Sequence, residues 1–97
     1  IAIGYLEDLE KLYRNQKEIV KLKETQIHIA KKYETLSEQY DWNNPADSHR
    51  IINLIHKSMN AWDRAKDKKT ITERKRLAQK IEPVKKTIFK SFTTYQV

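Results

Sequence analysis

The stretch DWNNPADS, residues 41–48, divides the 97-residue chain into its helical parts. Its asparagines favour turn conformations, and Pro45 keeps Asn44 out of the α region, so no helix should run through it. On its far side, Asp47 or Ser48 can accept a hydrogen bond from the free N–H groups of a new helix. The stretch therefore predicts one helical segment before it and a second one after it.

The segment before the break contains no Gly or Pro between Tyr5 and Tyr40. Most gaps between its apolar residues are three or four positions, as one face of a helix requires. We therefore predict one long helix over about residues 3–40. Its apolar positions are Tyr5, Leu9, Leu12, Ile19, Val20, Leu22, Ile27, Ala30, Tyr33, Leu36 and Tyr40.

The segment after the break predicts a second helix over about 47–66. Its apolar side carries Ile51, Ile52, Ile55, Met59, Trp62 and Ala65.

A third helix is predicted over about 71–94. Thr70 and Glu73 have the spacing of a capping box that would begin it. Pro83 cannot donate to the carbonyl of Gln79, so we expect a kink there. The apolar stripe keeps its phase across the proline, which favours one kinked helix over two: Leu77, Ile81, Val84, Ile88, Phe92 and Tyr95.

These three segments predict a single all-α domain, either a three-helix bundle or a helical hairpin with a long N-terminal helix. A helix of 36 residues would be about 54 Å long, whereas about 20 residues of the second helix span only about 30 Å. Either the first helix breaks, or its apolar face meets another chain or a part of this protein outside the given sequence. We expect the second case, a protein partner or a homo-oligomer that contacts Tyr5, Leu9, Leu12 and Ile19.

The net charge of +7 is concentrated in the second half of the chain. Residues 1–56 hold eight basic and nine acidic side chains, whereas residues 57–97 hold twelve and four. Residues 64–76 alone, RAKDKKTITERKR, contain seven Lys and Arg. Such asymmetry favours a polyanionic partner. The predicted contacts are Lys57, Arg64, Lys66, Lys68, Lys69, Arg74, Lys75, Arg76 and Lys80.

Two functions fit this pattern. Lysine and arginine neutralise phosphates and release counterions, so the basic half could hold a nucleic-acid backbone. Alternatively, the chain is a protein-interaction or oligomerisation module whose charge serves solubility or an acidic partner. Asp63, Asp67 and Glu73 dilute the basic run, and the sequence does not distinguish DNA from RNA. We favour nucleic acid.

The aromatic residues near the apolar stripes have two possible roles. Trp62, Phe89, Phe92 and Tyr95 are expected mainly in the core, with stacking on bases as the alternative.

Catalysis and metal binding are not expected from this composition. The chain has no Cys, and His28, His49 and His56 lack the i,i+4 spacing that places two ligands on one metal ion. No serine accompanies a histidine and an acid in a catalytic pattern. The apolar runs are too short to span a membrane. We therefore expect a soluble, intracellular, non-enzymatic protein without a cofactor, a metal, a small-molecule ligand or a membrane partner.

Overall fold

The computed structural model describes residues 2–95, and the side chains of residues 2–88. Every regular element in that range is helical, which confirms the all-α class. The elements are α1 (Ile3–Asn15), α2 (Ile19–Ser37), a 3₁₀ turn (Pro45–Asp47), α3 (Ser48–Ala65), α4 (Thr70–Lys80) and α5 (Glu82–Tyr95).

The single helix predicted over 3–40 is wrong, because the chain reverses between α1 and α2. Lys17 adopts a left-handed conformation with φ of 56°, and this one residue ends the helical path. The reversal lets α1 fold back along α2, so that Leu6 is buried against it. The apolar face that was expected to need another chain is thus covered in part by the chain itself.

The centre of the molecule is the antiparallel pair of α2 and α3. The Ser58 hydroxyl on α3 donates to the carbonyl of Ala30 on α2 at 2.6 Å, deep in their interface. α1 packs on α2, while α4 and α5 pack on α3. The core combines side chains from all five helices: Leu6, Ile29, Ala30, Tyr33, Ile51, Ile55, Ala61, Trp62, Leu77, Ile81 and Val84.

The break at residues 41–48 lies where the sequence predicts it, but its capping differs. Asp47 stands at the N-cap position of α3 without a side-chain capping bond. Its carboxylate instead accepts from the N–H of Asp41 at 3.0 Å, which closes the loop on itself. Asn44 accepts from the N–H of Ala46 and so caps the 3₁₀ turn that precedes α3.

The predicted kink in the third helix is found between α4 and α5, at Ile81. Pro83 lies in the first turn of α5, where a missing N–H costs least. Ile81 and Val84 are both buried, as is Leu77 before them, so the apolar stripe does keep its phase across the kink. The predicted core residues Phe89, Phe92 and Tyr95 lie outside the described side chains.

The predicted capping box at Thr70 and Glu73 is not formed. Lys69 occupies the N-cap position of α4, and it makes no side-chain capping bond. The Thr70 hydroxyl instead donates to the carbonyl of Trp62 at 2.9 Å and accepts from the N–H of Asp67 at 2.9 Å. Thr70 therefore ties the α3–α4 loop to the end of α3.

Candidate polyanion-binding surface

The predicted basic cluster separates in space into paired and unpaired charges. Four of its nine members form ion pairs. Arg64 meets Glu10 of α1 at 2.9 Å, and Arg74 meets Asp63 of α3 at 3.3 Å. These cations already have a counter-charge, so they contribute less to attracting an outside anion.

Glu34 on α2 is the centre of the largest of these ion-pair networks. Both of its carboxylate oxygens accept from the Arg76 guanidinium, at 2.7 and 2.8 Å. Lys80 donates to the same carboxylate at 2.7 Å and to Glu38 at 3.1 Å. The hydrogen bonds from Arg76, helped by those from Lys80, lower the pKa of Glu34 to about 2 against the cost of partial burial. The network therefore joins α4 to α2 by charge.

The two cations of this network are held in their charged forms. Burial would lower the pKa of Lys80, but its hydrogen bonds to Glu34 and Glu38 outweigh burial and raise it. The Arg76 pKa is raised by its hydrogen bonds to Glu34 and Glu73. Both side chains are thus structural ties between helices.

Lys57, the most N-terminal member of the predicted cluster, lies apart from the others. It projects from the middle of α3, and its ammonium group stands 5.6 Å from the centre of the Tyr33 ring. About nine residues of helix separate it from the end of α3, roughly 13 Å. It is not part of the same contact surface.

The remaining four predicted cations have no carboxylate within ion-pair distance among the described side chains. They are Lys66, Lys68, Lys69 and Lys75, all of them exposed. The first three belong to the short loop between α3 and α4. This loop therefore presents three neighbouring cations that have no such partner.

The α3–α4 loop is held in one shape by hydrogen bonds. Lys66 ends α3 in a left-handed conformation with φ of 49°, and the Thr70 hydroxyl binds both sides of the turn. The Asp67 carboxylate accepts from the N–H of Lys69 at 3.0 Å and pairs with Lys23 of α2 at 3.1 Å. The bond from Lys69, then the one from Lys23, lowers the pKa of Asp67. The loop lysines are therefore presented from a fixed backbone.

A groove of about 300 Å³ runs between this loop and α2. Lys68 and Lys69 line it on the loop side, and Lys31 lines it on the α2 side. Asp67 and Glu73 also line it, but each of them already pairs with a cation, Lys23 or Arg76. Three lysines without an ion-pair partner among the described side chains thus line one concave surface, which suits an anion such as a phosphate.

A second groove of about 320 Å³ lies on the other side of Lys31, above the buried Leu6 of α1. It is lined by His28, Lys32 and Thr35 as well as Lys31. Sequence reasoning missed these α2 residues as site members. Their i, i+3, i+4 and i+7 spacing, which places side chains on one helical face, was the available signal.

The two tryptophans are held within the fold. Trp62 is only 3% exposed and belongs to the core. Trp42 is half-buried, and its indole N–H donates to the carbonyl of Ser37 at 2.9 Å. Core packing, the favoured reading of Trp62, is what the structure shows.

Three of the four residues predicted to contact a protein partner are exposed: Tyr5, Leu12 and Ile19. The fourth, Leu9, is partly buried. They do not form one continuous stripe, because the reversal at Lys17 places Ile19 on a different helix from the others.

Within the described residues, no group of three or more His, Asp or Glu side chains is arranged to hold a metal ion. His28, His49 and His56 are all exposed and stand on two different helices. None of the helices in the described part is both long and apolar enough to pass through a membrane.

Comparison of the chain with protein-family models, with curated proteins and with solved structures finds no match in any of the three.

Proposed function

We propose that this chain is a non-enzymatic binding module that holds the phosphate backbone of a nucleic acid on the surface formed by α2 and the α3–α4 loop. The observation that carries the proposal is that Lys31, Lys68 and Lys69 line one groove and have no carboxylate within ion-pair distance among the described side chains. Most of the other cations of the region already pair with a carboxylate. A bound anion should therefore gain the most electrostatic stabilisation in this groove.

The two adjoining grooves support an extended ligand more than a single ion. Lys31 borders both of them, and Lys32 with His28 continues the basic lining beyond it. A nucleic-acid backbone carries regularly spaced negative charges, so it can engage several lysines in a row. Because contacts to phosphates carry no sequence information, a surface that engages the backbone in this way supports binding without sequence readout.

The test compares two triple variants with the same change in charge. Changing Lys31, Lys68 and Lys69 to Gln should weaken binding to duplex DNA and to RNA by about 10- to 100-fold, from about 0.5–1 kcal/mol per contact. The logarithmic salt dependence of duplex binding should fall by about 0.9 for each phosphate contact removed.

The matched control changes Lys57, Lys85 and Lys86 to Gln, three exposed lysines outside the groove. This variant should retain most of the affinity. Equal losses in the two variants would show that only net charge matters, which contradicts a defined site. If the wild-type chain shows no salt-sensitive binding at physiological ionic strength, the nucleic-acid proposal fails and an acidic protein becomes the favoured partner.

A further inference from the structure

The corner between α1 and α2 exposes three large aliphatic side chains that the proposed nucleic-acid surface does not use. Ile19 is 77% exposed, Val20 is 71% exposed and Leu12 is 46% exposed. All three side chains are therefore open to contact from outside the molecule. We call these three residues the apolar corner.

The backbone of the corner is fixed, so these side chains are held at its edge. Lys17 takes the left-handed conformation that reverses the chain. Its N–H donates to the carbonyl of Arg14 at 3.2 Å, and the N–H of Glu18 donates to the carbonyl of Tyr13 at 2.9 Å. The last turn of α1 and the first turn of α2 therefore meet in a defined geometry.

Exposed lysines surround the apolar corner. Lys11, Lys17 and Lys21 have no carboxylate within ion-pair distance among the described side chains. Glu18 is the one acidic residue between positions 11 and 21 of the sequence. The corner thus combines projecting aliphatic groups with an excess of positive charge.

We propose that the apolar corner inserts shallowly into the surface of an anionic lipid bilayer. Apolar side chains that enter the boundary between headgroups and acyl chains gain by leaving water, and neighbouring lysines gain by approaching anionic headgroups. The flexible lysine stems allow the ammonium groups to stay in the headgroup layer while the aliphatic groups go deeper. The contact is peripheral, and it requires no membrane-spanning helix.

The charge around the corner also disfavours a second copy as its occupant. A two-fold symmetric contact places the same patch on both subunits, so it would bring two copies of this lysine-rich patch together. Like charges brought together in this way oppose association.

A site-specific fluorophore tests the insertion directly, because the chain has no native Cys. An environment-sensitive dye on Ile19→Cys should shift to shorter wavelength when phosphatidylcholine vesicles containing about one third phosphatidylserine are added. Vesicles of phosphatidylcholine alone should cause little shift. The same dye on Asn53→Cys, an exposed position in the middle of α3, should not respond to either vesicle. Equal responses at the two positions would overturn the proposal.

Paired substitutions separate the corner from general hydrophobicity and from the nucleic-acid surface. Changing Ile19 and Val20 to Asn should reduce co-sedimentation with the anionic vesicles by about tenfold or more, from roughly 1.4 kcal/mol or more of lost burial. Ile71→Asn, which alters an isoleucine 84% exposed on α4, should leave it nearly unchanged. The corner variant should bind nucleic acid as the wild type does, so the two proposals can fail separately.

Three results would refute the bilayer proposal. The first is a wild-type chain that does not co-sediment with anionic vesicles. The second is a loss in Ile71→Asn that equals the loss in the corner variant. The third is a wild-type dimer in sedimentation equilibrium that the Ile19 and Val20 substitutions convert to monomer, which would show that a second copy covers the corner.

Discussion

Replacing Glu34 with Gln should destabilise the fold through the loss of the charge that joins α2 to α4. The carboxylate accepts two hydrogen bonds from Arg76 and one from Lys80, all between 2.7 and 2.8 Å. Its own side chain is 15% exposed, whereas Arg76 is 47% and Lys80 is 30% exposed, so solvent screens the cations. Pairs of this partly exposed kind contribute about 0.2–1 kcal/mol each, and we expect a total loss of about 1–2 kcal/mol.

The pH dependence of this loss follows from the direction of the pKa shift. The folded-state pKa of Glu34 is about 2, below its ordinary value of 4.5. The stabilisation is therefore complete above about pH 4.5 and disappears as the pH falls through about 2. Urea unfolding of the wild type and of Glu34→Gln at a series of pH values should give free energies of unfolding that differ at pH 7 and converge toward the acid end.

Two controls define what would refute this reasoning. Glu38→Gln removes a carboxylate that is 56% exposed and that pairs with Lys80 alone among the described side chains, so it should cost less than Glu34→Gln. A double-mutant cycle with Arg76→Gln should give a coupling free energy that falls with added salt. A difference between the wild type and Glu34→Gln that is the same at pH 7 and at pH 2 would show that packing, and not the ionised carboxylate, is responsible.

Two further substitutions test local structure. Thr70→Val should lower the free energy of unfolding by about 1–2 kcal/mol in urea titrations, because it removes the two hydrogen bonds that tie the α3–α4 loop to Trp62 and Asp67. The matched variant Thr72→Val changes an exposed hydroxyl of the same turn, and an equal loss there would contradict this role. Pro83→Ala should leave the fold intact and change the free energy of unfolding by less than about 1 kcal/mol. The gained backbone hydrogen bond and the greater freedom of the unfolded chain have opposite effects on this free energy. A larger loss in thermal unfolding would show that the kink itself is required.

The helices that sequence reasoning placed correctly are bounded by strong local signals. The asparagines and proline of residues 41–48 prevent a helix from continuing through them. After this break, α3 begins and ends within one residue of the predicted bounds 47–66. The reversal at Lys17 carries no such signal, because neither Gly nor Pro occurs there and a lysine takes the left-handed conformation. The packing of α1 on α2 compensates for the free-energy cost of the left-handed conformation at Lys17. This packing joins separate helices, so local sequence patterns do not predict it.

The candidate site was predictable in composition but not in arrangement. The excess of lysine and arginine in the second half identified the basic region. Which of these cations are neutralised depends on acids far away in sequence, as with Arg76 and Glu34, which are 42 positions apart. The contribution of Lys31 was missed for the same reason, since only the folded chain brings α2 next to Lys68 and Lys69. The charge composition thus indicates the basic region, whereas the fold determines which of its cations pair with a carboxylate.

The weak attachment of α1 divides the molecule into two parts that should open at different free energies. Only Leu6 and Glu10 of α1 are buried. The helix is held by its packing on α2, by the Tyr33 hydroxyl that donates to Glu7 at 3.2 Å and by the bond from Arg64 to Glu10. Apart from Leu6, the buried core lies among α2, α3, α4 and α5. Native-state hydrogen exchange should therefore reveal a separate opening unit, with the amides of residues 3–15 exchanging at a lower free energy than those in the interior of α2 and α3.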